Sequence, residues 1–238
     1  MSKVVATTVL PEDSGEVLTF GDTGDAIAIS GDSLNVNVIE DAGGNNMITS
    51  DGAGTLTVNS AFGGAFNLLN TNVFFGATTS NFTTLIDSTY DVYRFTFTAM
   101  NPASDNVNFT FQCSIDGGSN YNVTMTTTSF EAINPAAGLS YMAGDDQAQG
   151  TSYQHLCFDI GNATDECCVG ELYLFNPSST TYVKNWYCTS QGYHTSDYTI
   201  NDFTAGYFNT TSALNAISFK MSSGIMDGEI KMYGISKS

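Results

Sequence analysis

The run "DVYRFTFTAM" (residues 91–100) alternates large apolar side chains with small polar ones and places Tyr93, Phe95 and Phe97 on one face. A period of two is that of a half-buried strand. The same reading of "VNFTFQCSI" lines up Val107, Phe109, Phe111, Cys113 and Ile115. In "ALNAISFKMSS" it sends Ile217, Phe219 and Met221 inward and Ser218, Lys220 and Ser222 outward. Asp116-Gly117-Gly118 follows the second run and predicts a hairpin turn into "YNVTMTT". With "SYQHLCFDI", "CVGELYLFNPSS" and "TTYVKNWYCTS", about eight strands are predicted beyond residue 60, with no helical pattern between them. That arrangement is an antiparallel β-sandwich, jelly-roll-like. The last patterned run, "GEIKMYGIS" from Gly228 to Ser236, is predicted to close it, because a terminal strand holds only when it pairs into a sheet.

Upstream the texture changes. Between about residues 15 and 60 the runs shorten to "AIAIS", "SLNVNV", "NMITSD" and "GTLTVNS", separated by Gly-Asp and Gly-Gly turns. Leu34, Val36 and Val38 share one face, and Leu56 and Val58 repeat the pattern. Strands this short bury little apolar area alone, so the segment is expected to pack on something else. "SAFGGAFNLLN" (residues 60–70) reads as the junction. The division is therefore 1–60, a smaller segment of short β-strands serving attachment or oligomerisation, and 61–238, the sandwich.

Composition narrows the class. Only 13% of the 238 residues are charged, and Thr, Ser, Asn and Gly fill the polar positions, which suits strands and turns over helices. Twenty-four acids against six basic residues give a net charge of −18. Such a surface repels phosphate, so nucleic acid and anionic lipid are excluded as partners. No apolar run is long enough for a signal peptide or a membrane span. The five cysteines are odd in number, with no C-x-x-C and no zinc spacing. They are expected to be free thiols, Cys113 buried among them, with adjacent Cys167 and Cys168 unbridged, as befits folding in a reducing cytoplasm. "GDTGDAIAISGD" comes nearest to a calcium loop, but its acids are too scattered for the D-x-[DN]-x-[DN]-G pattern. No metal or cofactor is predicted.

Catalytic chemistry finds no anchor. There is no G-x-S-x-G, no P-loop and no G-x-G-x-x-G. Asp145-Asp146 and Asp165-Glu166 sit in polar stretches and read as solvated turns, not as a glycosidase pair. His155, beside an apolar run, reads as a structural contact and His194 as a loop residue. The chain is read as no enzyme. One stretch suggests binding. In "TTYVKNWYCTSQGYHTSDY", Tyr182, Lys184 and Trp186 alternate on one face and Val183, Asn185 and Tyr187 take the other. Lys184 is expected to point to solvent, so the single Trp leans outward beside Tyr182, with Tyr193 and His194 in the following loop. Exposed aromatics stack on sugar rings or anchor interfaces. Tyr182, Trp186, Tyr193 and His194 are thus the candidate ligand-binding residues, with burial of Trp186 between subunits as the competing expectation.

Three segments in order resemble bacteriophage tail-fibre and virion-surface proteins, especially those of marine phages. They are "FTTLIDSTYDVYRFTFTAMNPASDNVNFTFQCSIDGGSNYN", "GELYLFNPSSTTYVKNWY" and "NTTSALNAISFKMSSGIMDGEIKMYGI", spanning roughly residues 80 to 236. Upstream, "AGGNNMITSDGAGTLTVN" is similar, more loosely, to the stalk or attachment segments of such proteins. The resemblance implies a sandwich displayed on a virion, assembled in the host cytoplasm as a homotrimer. It would join other virion proteins through its N-terminal segment and contact a host surface glycan. A capsid decoration or head-fibre protein of the same fold, or a glycan-degrading tailspike, are the alternatives.

Overall fold

The computed structural model describes residues 38–40, 46–50, 52–53, 56–58, 65–135, 138, 140–143 and 145–236. The chain divides into two compact units, 1–59 and 60–238. In the first, β1 (Val38–Glu40), β2 (Asn46–Ser50) and β3 (Leu56–Val58) form an antiparallel sheet in that order. Gly52 supplies the positive φ (74°) of the β2–β3 turn, and its N–H donates to Ser50 Oγ at 3.2 Å. Leu34, Val36 and the acid-rich residues 21–32 lie outside the described residues.

The second unit is the all-β antiparallel sandwich that the alternation predicts. Its larger layer runs β4 (Phe66–Ala77), β15 (Met226–Ile235), β6 (Val92–Pro102), β11 (Cys168–Phe175), β12 (Lys184–His194), β13 (Tyr198–Phe208), β8 (Met125–Asn134) and β9 (Ser140–Ala143). The smaller layer runs β10 (Gln154–Ile160), β7 (Val107–Ser114), β14 (Ala216–Met221) and β5 (Ser80–Phe82). A single residue pair, Ile160 with His194, joins the layers into one hydrogen-bonded sheet. Aromatic rings interlock between them: Phe97 with Phe109 (centroids 4.9 Å apart), Phe95 with Phe219 (5.6 Å) and Phe111 with Trp186 (4.6 Å). Tyr93, Phe95, Phe97, Phe109, Phe111, Ile217 and Phe219 are all buried, as their shared faces require.

Four details depart from the alternation. The described residues of the unit form twelve strands rather than about eight, because short β5 and β9 and the individual strands of long hairpins carry weak patterns of their own. Asp116-Gly117-Gly118 does turn the chain, with both glycines at positive φ, but no hairpin forms. β7 pairs with β10 and β14, whereas β8 crosses to the other layer and pairs with β13 and β9. Ser218, expected outside, is buried, and Ile115 is exposed beyond the end of β7. Phe66 to Asn70, placed in the junction, begins the 12-residue strand β4.

The final strand answers for the closure. β15 lies between β4 and β6, hydrogen-bonded on both sides, so the last strand in sequence is internal to the sheet. Gly228 absorbs the register shift beside Glu229 at φ 147°, where an added Cβ would meet Met100 Sδ at 2.7 Å.

Candidate functional site

The strand β12 decides which aromatics face solvent. Its even-numbered residues point inward and its odd-numbered ones outward, apart from half-buried Thr189. Lys184 is 0% exposed and Trp186 2%, which corrects the expectation that Lys184 marks the solvent face and that Trp186 leans out with it. The Lys184 stem lies in the core, and its ammonium donates to the carbonyls of Tyr182 (3.0 Å) and Thr210 (3.1 Å) at the strand's entrance. Burial lowers its pKa. Trp186 packs edge-on to Phe111 and tilted against Phe208, inside one chain rather than between subunits.

The other candidates separate. Tyr182 is 72% exposed but precedes the strand, while Tyr193 and His194 end it, about 35 Å away at eleven residues of strand. Tyr193 is exposed and donates to Asp197 Oδ1 at 3.3 Å. His194 is no loop residue: it is buried at the end of β12, its Nδ1 accepting from the Ser196 N–H (2.9 Å) and its ring stacked 4.0 Å from Tyr198. Its Nε2 lies 2.9 Å from the Tyr198 hydroxyl, so it fastens the β12–β13 turn. Three of the four carboxylates in the two pairs are engaged as well. Asp146 accepts from the Ser129 N–H (2.6 Å), Asp145 lies 3.2 Å from His155 Nδ1, and Glu166, expected in a solvated turn, is buried and accepts from the Ala163 N–H (2.6 Å).

The outward residues of the larger layer form a different surface. Across five strands, register places Arg94, Tyr173, Tyr187, Ala205 and Thr128 in one row. The next row holds Glu171, Thr189, Phe203 and Phe130. Tyr173 and Tyr187 stack at 5.0 Å and 21°, Phe203 and Phe130 at 4.9 Å and 13°. Tyr187 is 43% exposed and Phe130 50%. Between the stacks, Ala205, Gly206 and Thr128 leave a floor without bulk. Two hollows that share Thr128, Tyr187 and Ala205 make up this groove, one of about 480 Å³ beside Phe175 and Tyr207 and one of about 200 Å³ beside Phe130 and Phe203. At one margin Arg94 is fixed by Glu171 (Nε to Oε2 2.8 Å, Nη2 to Oε2 2.6 Å), its guanidinium over the Phe66 and Tyr173 rings.

Tyr187 was legible as belonging to the other face of its strand, but the companions were not. Tyr173, Phe203, Tyr207 and Phe130 come from three further strands, and only the register makes them neighbours. The residues lining the groove carry no acid or base, and the Arg94–Glu171 pair stands only at its Tyr173 margin, so the groove offers stacking faces and neutral hydroxyl and amide groups. A second hollow of about 420 Å³ at Tyr193 is bordered by Asp165, Asp197 and Tyr198. Among the described residues no group of three His, Cys, Asp or Glu side chains could hold a metal ion. No described helix is long and apolar enough to cross a membrane. No family model, curated protein or solved structure matches the chain.

Proposed function

We propose that this chain is a virion structural protein of tail-fibre type, whose sandwich is displayed on the particle and recognises a glycan of the host surface. The observation that carries the recognition half is the aromatic groove around Tyr187. Two stacked ring pairs flank a floor of small residues on an open sheet face, a shape that accepts flat, rigid rings at low entropic cost. The virion half rests on the ordered resemblance of the three segments quoted above. Assembly as a homotrimer draws support from β4: among the described residues it is the end strand of its layer, twelve residues long, with no charge and no Pro, and it exposes Phe66, Leu68, Val73 and Phe75. Edges left so unguarded invite another chain, here a second copy. The reading is tested on particles carrying Tyr187→Ala. They should incorporate the protein in normal amount and adsorb to host cells at least tenfold more slowly. Failure of an antibody against the chain to label particles overturns the virion assignment, and unchanged adsorption overturns the recognition surface.

A further inference from the structure

We infer that the groove takes a neutral glycan, about two sugar rings in contact, and rejects acidic ones; this deepens the glycan reading above and rests on it. The lining of the groove carries no charge of either sign, although the chain has 24 acids. What it offers besides rings is hydroxyl and amide: Thr126, Thr128, Thr189, Asn185 and the tyrosine phenols. These are partners for sugar hydroxyls, with the apolar faces of the rings left to stack on Tyr187 and Phe130.

An acidic sugar would need a cation, and each cation among the described residues is paired, buried or on the smaller layer. Arg94 is paired with Glu171, Lys231 with Glu229 at 2.6 Å, and Lys184 is buried against backbone carbonyls. Lys220 belongs to β14 in the smaller layer and lies over the Tyr153 ring at 4.1 Å. Lys3 and Lys237 lie outside the described residues. A uronate or sialate entering the groove would leave water without a countercharge and approach a molecule of net charge −18. Like-charge approach at low ionic strength weakens binding further. The length follows from the sheet. Tyr187 on β12 and Phe130 on β8 are two strands apart, about 10 Å, which accommodates two pyranose rings end to end across the strands.

The test titrates the full chain with two sets of oligosaccharides at low salt. One set is hexasaccharides of glucose, galactose and N-acetylglucosamine; the other is hexagalacturonate and oligosialic acid. At least one neutral member should bind saturably, with every acidic member at least tenfold weaker. Tyr187→Ala should lose at least tenfold in affinity at unchanged Tm, Tyr187→Phe should retain most of it, and Tyr182→Ala should bind as the parent does. Acidic binding as tight as neutral binding overturns the neutral assignment and leaves the glycan reading standing. Absence of saturable binding in both sets overturns both. If Tyr187→Ala changes the oligomeric state and leaves binding intact, the face is a subunit interface and the inference falls.

Discussion

Trp186 fills the space between Phe111 and Phe208, so Trp186→Ala opens a core cavity and should cost about 3–5 kcal/mol, a loss seen as a lowered Tm. Its emission should be blue-shifted and resist acrylamide; red emission with easy quenching would contradict the burial. Tyr187, next in sequence but on the opposite face, should tolerate Ala with little loss of stability. Parity in β12 was legible; its sign was not. A lysine is ordinarily the safest marker of solvent, and here it misled because Lys184 stands at a strand entrance where carbonyls can satisfy its ammonium. The thiols followed expectation more closely. All five are free, and only Cys167 is not fully buried. Alkylation of the native protein followed by mass spectrometry should therefore modify Cys167 first, and slowly, since burial raises its pKa too. Prompt labelling of Cys113 or Cys188 would show that the core opens.

Among the elements, those with several large apolar residues in strict alternation were readable: β6, β7 and β14 bury the side chains that their patterns assign inward. Pairing was harder to read. Asp116-Gly117-Gly118 has hairpin chemistry, yet β7 is covered on its second side too. There Gln112 donates to the carbonyls of Val123, Thr151 and Ser152, so the chain leaves for the other layer. Long-range hydrogen bonds of this kind leave no periodic trace in a sequence. The edge strand β4 carries a test of assembly. Lysines at Leu68 and Val73, both exposed, would place charges at the free edge without touching the core. The parent should scatter light as a trimer and the L68K/V73K variant as a folded monomer with the same strand-rich circular dichroism. A parent that is already monomeric, or a variant that remains trimeric, would remove β4 from the interface.

For the molecule as a whole, two buried carboxyls contribute a stability that depends on pH. Asp202 on β13 and Glu131 on β8 are directly opposite in register and both buried. Burial, reinforced by neighbouring acids, pushes each up to about 7. Asp202 Oδ2 accepts from Ser190 Oγ at 3.3 Å. In the unfolded chain these groups lose their protons near 3.8 and 4.5. Between those values and about 7 the folded state therefore binds more protons, so stability is fully present at acidic pH and declines as pH rises through that window. Tm should fall by several degrees between about pH 5 and pH 8, and Asp202→Asn, neutral throughout, should flatten the slope. An Asp202→Asn variant whose Tm depends on pH as steeply as the parent's would contradict the buried pair. Recognition by the groove is tested most directly by binding of the full chain to isolated host-cell envelopes, compared with Tyr187→Ala. Tyr187→Ala should lose at least tenfold in affinity with the melting curve unchanged. Equal binding by the two proteins would contradict it.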